Sequence, residues 1–412
     1  MNIPMLTRIT GPDLYYWTDM KKFKHIDWRQ LFSRHKTFWT VAAHGAGIVL
    51  LALLLTRFTI YNISSLSVFA PLDKEVDFKM SDLYNMVADS KAVHQFSPDI
   101  LIVAIDGCSR RRTLEVINQI AACQPRAIGL DVYFPYPEED NSYLLHTLSR
   151  TPNLVCSEYA VPEPDGIHYY RQQNLSFYDS LMQPAHSGFI NLNVRDAQHV
   201  VRSFRPFVTS SANDTSFSMA CEIARLVAPD KAQALLDRHE KEVTIDFTTY
   251  DFLVITADEL NDCPAEWLNG RVVLIGDAQF LSDAHLTPLH GMKAGVMIHA
   301  FELQTILSGT YIDTTSAGLK WSIAVLLCVL YVSMLLLSKY KMANYGSLVL
   351  RVGQFALMYL LICIGCALYR SAHVYADFAP AILMIGLGSI AFDLWFGTYA
   401  LACMLIEKLK KK

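Results

Sequence analysis

The sequence predicts an α/β extracytoplasmic domain with a mixed, partly parallel sheet, joined to four transmembrane α-helices. Three observations predict it. The 412-residue chain is 52% hydrophobic and only 18% charged, with a mean hydropathy of +0.24, too apolar for a purely soluble protein. Four long apolar stretches occur, one near the start and three near the end. Between them lies an acidic block in which short apolar runs alternate with helical patterns, the signature of βαβ units.

The first apolar stretch, Thr37 to Thr56, has 20 residues and no Asp, Glu, Lys or Arg. At about 1.5 Å per helical residue it matches a hydrocarbon core of about 30 Å. It is too long, and lies too far from the start, to read as a cleaved signal peptide. Transmembrane helices are predicted over 37–58, 317–338, 347–369 and 378–405. The first 36 residues carry 7 Lys plus Arg against 3 Asp, Lys339, Lys341 and Arg351 surround the link between the second and third spans, and a basic tail occupies 406–412. By the positive-inside rule these three lie in the cytoplasm. Residues 59–313 contain 33 Asp plus Glu against 18 Lys plus Arg, which leaves them at −15 while the remainder of the chain is at +11. This block is placed outside the inner (cytoplasmic) membrane, and four spans return both termini to one side. Its acidity also excludes nucleic acid as a partner, because phosphate contacts need clustered Lys and Arg.

Within the block, PDILIVAID ends an apolar strand at Asp106, a helix follows over Arg112 to Cys123, and AIGLDVYF is a second strand. A helix over Asn141 to Ser149 leads to the strand LVCSEYA, and RVVLIGD is a further strand ending at Asp277. Such continuous apolar strands belong to sheets covered on both faces. GFINL, VVRSFRPFV and VTIDFTTY alternate as strands do, and Phe217 to Val227 is an amphipathic helix.

This succession resembles the second type of CHASE domain, an extracytoplasmic sensory domain of bacterial receptors. The resemblance rests on VAID, AIGLDVYF, GFINL, VVRSFRP and FSMACEIARL, and above all on VVLIGDAQFLSDAHLTPLHGMKAGVMIHAFELQTILSG, with Asp283, Thr287-Pro288 and Gly295-Val296 before Ile298-His299-Ala300. One span before the sensor and three after it match that family's layout. Two departures stand out. GCSRRRTLEV lacks the Trp-Pro-rich element usual after the first strand, which bears on the rim of a ligand cleft. Asp196-Ala197-Gln198-His199 replaces an Asp-Gly turn.

Asp106, Asp131 and Asp277 fall within or at the carboxyl ends of apolar strands, where ligand crevices of parallel sheets lie. With Asp283, Thr287 and His299 they form the candidate ligand-binding set. Clustered carboxylates with Asp283 and His285 could ligate Mg²⁺ or Ca²⁺; capping of helices and loops by the same Asp residues is the favoured alternative. The spacing of His285, His290 and His299 fits no zinc motif, and His299 in an apolar helix reads as a core histidine bonded to a carboxylate. Nucleophile-elbow, P-loop and kinase motifs are absent, so no catalytic residue, metal or cofactor is assigned and the chain does not read as an enzyme. Inside the spans, His44, Arg351, Gln354 and Asp393 are polar, and interhelical hydrogen bonding is favoured over transport. Cys363 and Cys366 are read as packing residues.

The resemblance and the missing enzyme motifs imply a receptor-like membrane protein that binds an unknown ligand or protein. With no room predicted for an output domain, its signal is expected to pass to a separate effector or complex subunit, with a homo-oligomer also open. A structural subunit of a membrane complex and a metal-dependent ectoenzyme are the alternatives. The short stretch from Leu307 to the second span is expected to couple sensor and membrane more directly than YNISSLSVFAPLDKEVDF does.

Overall fold

The computed structural model describes residues 35–63, 79–90, 95–172, 176, 178, 181, 184–192, 200–279, 283–341 and 345–410. The arm over 1–34, most of the polar linker after the first helix, the Asp196 to His199 turn and the last two lysines lie outside the described residues. The chain divides into two compact units, one of Met1–Phe69, Thr315–Gly365 and Ala376–Lys412, the other of Ala70–Thr314 and Cys366–Tyr375.

The second unit is built on a six-stranded sheet: β1 (Gln95–Ala104), β2 (Ala127–Leu130), β3 (Leu154–Glu158), β4 (His186–Phe189), β5 (Tyr250–Thr256) and β6 (Val272–Gly276). The order is β5-β1-β6-β2-β3-β4, and every pairing is parallel. The α/β class is as the sequence predicts, and antiparallel pairing is confined to short satellite ribbons such as Ala160–Pro162 with Tyr169–Arg171 and Phe207–Thr209 with Thr215–Phe217. A parallel sheet must be covered on both faces, and two separate cores do this. Helices α3 (Arg110–Ala122) and α4 (Asn141–Arg150) cover one face, packing Leu114, Ile117 and Leu144 against Leu101, Val103 and Val273. Helices α5 (Met219–Val227), α6 (Pro229–Asp237) and α7 (Gly295–Ser308) cover the other with Ile223, Leu235 and Phe301 against Ile100, Ile102 and Leu274.

Local chemistry sets the helix starts. Ser109 and Ser218 accept from the backbone N–H of Arg112 and Cys221, both at 3.2 Å, and so satisfy donors that the helix itself cannot. Another helix of the same unit, α2 (Met80–Asp89), begins where the Asp82 carboxylate accepts from the backbone N–H of Lys79 at 2.8 Å. Arg110, next to the cap of α3, donates to the carbonyl of Tyr136 and to Asn141, each at 2.9 Å. The short GCSRRRTLEV element therefore anchors the loop after β2.

The first unit contains helices α1 (His35–Ile63), α8 (Ala317–Lys341), α9 (Tyr345–Ala372, whose last turns fall in the second unit) and α10 (Ala379–Lys410). All four are long and apolar enough to cross a membrane, over Trp39–Thr59, Ala317–Lys339, Leu348–Ala372 and Ala379–Leu409. Ile48, Ala52, Ala324, Cys328, Met384 and Ile385 form their shared core. A Cβ on Gly47 would lie 2.2 Å from the Trp395 ring, so this approach of α1 to α10 requires glycine. His44, Gln354, Arg351 and Asp393 find partners inside this unit. The His44 Nδ1 accepts from the Trp395 indole at 2.9 Å, Gln354 Oε1 accepts from Tyr331 and Ser389 at 2.6 Å, and Arg351 pairs with Asp393 at 2.6 Å. Cys363 is exposed and Cys366 half-buried.

Candidate functional site

The three central strands β1, β6 and β2 end side by side, since Ile105 N–H donates to the Gly276 carbonyl and Asp131 N–H to the Ile275 carbonyl. This brings Asp106, Asp277 and Asp131 to one edge of the sheet. Chain order reverses here, because β6 inserts between β1 and β2, and that is where open parallel sheets form a crevice.

The carboxylates have different tasks. Asp106 accepts from the backbone N–H of Ala278 at 2.9 Å and of Gln279 at 2.7 Å, closing the loop after β6. Asp277 is exposed, and its carboxyl is raised above the usual range by partial burial and then by Asp106 and Asp283. Asp283 bonds His285 at 3.1 Å. A Cβ on Gly295 would fall 2.3 Å from the Asp283 carboxylate, so only glycine at the first residue of α7 lets that negative charge rest against the helix start, where the dipole favours it.

Asp131 is half-buried beside Gly276, and its side chain makes no hydrogen bond among the described residues. Burial raises its carboxyl to about 6; the cation of His299 works against this, and Asp283, Asp277 and Glu302 work with it. His299 is 3% exposed and bonds Glu302 at 2.9 Å, one turn along α7. Burial opposes its charge, but Glu302, the hydrogen bond, Asp131 and Asp283 outweigh burial and hold the imidazole at about 9. At neutral pH His299 is therefore a buried imidazolium bonded to Glu302, and Asp131 is a poorly solvated carboxyl near it.

Thr287 stands apart from these groups. It ends β7 (Ala284–Thr287), which pairs with β8 (Gly291–Ala294), and its hydroxyl donates to the Gly291 carbonyl at 2.9 Å while accepting from His290 N–H at 3.1 Å. Its task is closing this hairpin. His290 bonds the Phe247 carbonyl at 2.8 Å and stacks on Phe301. His285, His290 and His299 thus bond Asp283, the Phe247 carbonyl and Glu302 respectively. Among the described residues no three His, Cys, Asp or Glu side chains converge to hold a metal.

The carboxylate expected beside His299 is Glu302, a residue not singled out from the sequence. Its position at i+3 from His299 is the readable signal, since those positions share a helix face.

A family model for the CHASE2 domain matches residues 48–338. No curated protein and no solved structure matches the chain. The matched stretch runs from α1 to α8, takes in the whole parallel sheet with its crevice, and covers well over half of the sequence. This chain therefore belongs to the CHASE2 family of extracellular sensor domains, carried by a protein with four helices able to span a membrane.

Proposed function

We propose that this protein is a receptor whose extracytoplasmic domain binds a cationic ligand, or a basic segment of a protein, in the crevice at the ends of β1, β6 and β2, and passes the signal to a separate effector. The observation that carries the reading is Asp131, a half-buried carboxylate without a hydrogen-bond partner among the described residues, flanked by Asp277 and Asp283. Asp131, Asp277 and Asp283 make this edge of the sheet acidic. An amine entering the crevice would supply the missing donors and the opposite charge. No step of catalysis is assigned to these groups, and the absence of nucleophile and kinase motifs supports a binding role.

Spermidine is a suitable first probe. Added to the full chain in nanodiscs, it should raise the unfolding temperature, and the gain should vanish in Asp277→Asn/Asp283→Asn. An equal gain in both proteins, or none in either, would remove the crevice as the site. Effectors should be sought among proteins that copurify after gentle detergent extraction.

The proposed location is the inner membrane of a bacterium, with both termini cytoplasmic and residues 59–313 outside. Charge asymmetry supports it. Cys263 is half-exposed and should react with an impermeant maleimide in intact cells, whereas a cysteine introduced within residues 1–36 should not. Cys156, at 1% exposure, is buried too well to report on topology from either side. Labelling of the introduced cysteine in intact cells would reverse the assignment.

A further inference from the structure

We infer that α2 is a relay that clamps the outer link between the third and fourth spans to the crevice hairpin, giving the sensor a second route to the membrane. Each step of the route is a direct contact, and all of them lie within the second unit. The hairpin strand β7 is joined to the VVRSFRP segment where Val201 N–H donates to the Leu286 carbonyl at 2.8 Å and Val200 bridges Leu286. The next residue, Arg202, grips Asp82 of α2 with two parallel bonds, Nε to Oδ1 at 2.9 Å and Nη2 to Oδ2 at 2.8 Å. Both side chains are nearly buried, at 13% and 6% exposure, so this fork is geometrically fixed and little screened.

Tyr84 and Asn85 of α2 hold the link. Tyr84 is fully buried, with ring centroids 5.9 Å from Tyr369 and 5.8 Å from Tyr375. The Tyr369 hydroxyl donates to the buried Asn85 amide oxygen. Ile312 completes this small core. Beside it, Asp313–Thr314 pair in parallel with Val374–Tyr375, and Asp313 N–H donates to the His373 carbonyl at 2.8 Å. Residues leading into the second span and residues joining the third to the fourth are thus held in one two-stranded ribbon against α2.

The spacing within α2 suits a relay. Asp82 and Asn85 are one turn apart, so a shift of the Arg202 fork moves the helix as a body and carries Tyr84 with it. A hairpin displaced by a ligand at Asp283 has this path as well as the covalent one through α7. Only the direction of the signal rests on the receptor reading; the clamp itself is tested without any ligand.

The test is amide hydrogen exchange, read by mass spectrometry on the full chain in nanodiscs. In Asp82→Ala, amides in 310–316 and 373–376 should exchange roughly tenfold faster or more, although Asp82 touches neither segment, because charge-assisted hydrogen bonds hold the closed arrangement. Tyr369→Phe, which removes one oxygen and leaves the fold intact, should accelerate the same two segments and α2. Exchange in β1 and β6 should stay unchanged in both variants, which separates release of the clamp from unfolding. Arg111→Ala, which removes an exposed ion pair with Glu115, should have no effect on either segment. Unchanged exchange at 310–316 and 373–376 in Asp82→Ala would overturn the relay, and unchanged exchange there in Tyr369→Phe as well would overturn the clamp. Neither outcome depends on whether spermidine binds the crevice.

Discussion

Replacing Glu302 with alanine should cost the full chain about 3–5 kcal/mol at pH 7, the usual penalty for stranding one member of a buried ion pair. Glu302 is 2% exposed and its partner His299 3%, so water cannot take the place of the lost carboxylate. The imidazole must then either stay charged and unpaired or lose its proton. The double variant His299→Leu/Glu302→Leu should recover most of this loss, because two apolar groups need no partners. Thermal unfolding in nanodiscs measures both. A double variant as unstable as the single one would mean that packing, not charge, sets the value of the pair. A stable double variant that no longer responds to spermidine would instead place the pair in recognition.

Linkage gives the same pair a pH signature. The folded-state pKa of His299, about 9, lies above its ordinary value of 6.5, so its contribution is complete below the unfolded value and is lost as pH rises through about 9. Glu302→Ala should erase that alkaline step in the unfolding temperature.

Asp131→Asn should have the opposite sign and stabilise the protein by about 1–3 kcal/mol at pH 8. The folded-state pKa of about 6 lies above the ordinary value of 3.8. The folded domain therefore favours the neutral acid, whose contribution is complete below 3.8 and lost as pH rises through about 6. Asparagine keeps the shape without the charge, so the gain should be present at pH 8 and absent at pH 3.5. If Asp131→Asn destabilises at both pH values, the carboxylate has a further partner and the crevice is not poised for a ligand. If it stabilises while abolishing the spermidine response, Asp131 is a residue kept for binding at the expense of stability.

How much of this is readable from the chain alone follows from the range of each interaction. The placement of Asp106, Asp131 and Asp277 at one sheet edge is legible, since each stands at the end of an apolar run and parallel strands bring such ends together. Their different roles are not. Whether a carboxylate caps a loop, as Asp106 does, or is left poorly solvated, as Asp131 is, depends on which backbone N–H groups of other segments reach it. The motif around Thr287 suggests a ligand contact, and only the fold adds that its hydroxyl closes the hairpin turn.

What the sequence by itself determined are properties carried by neighbours along the chain. The length of an apolar run, the sign of the flanking charge and the alternation of strands with amphipathic helices are local, and they predict four spanning helices and an α/β domain. Only the tertiary structure decided the insertion of β6 between β1 and β2, the Arg202 fork onto Asp82 across 120 residues, and the bond from Tyr369 to Asn85 across 284. The physical reason is that such contacts are selected by what each buried group lacks once the chain has collapsed. An arginine or a tyrosine hydroxyl needs a partner in the core, and the partner's position in sequence is irrelevant to the energy of the bond.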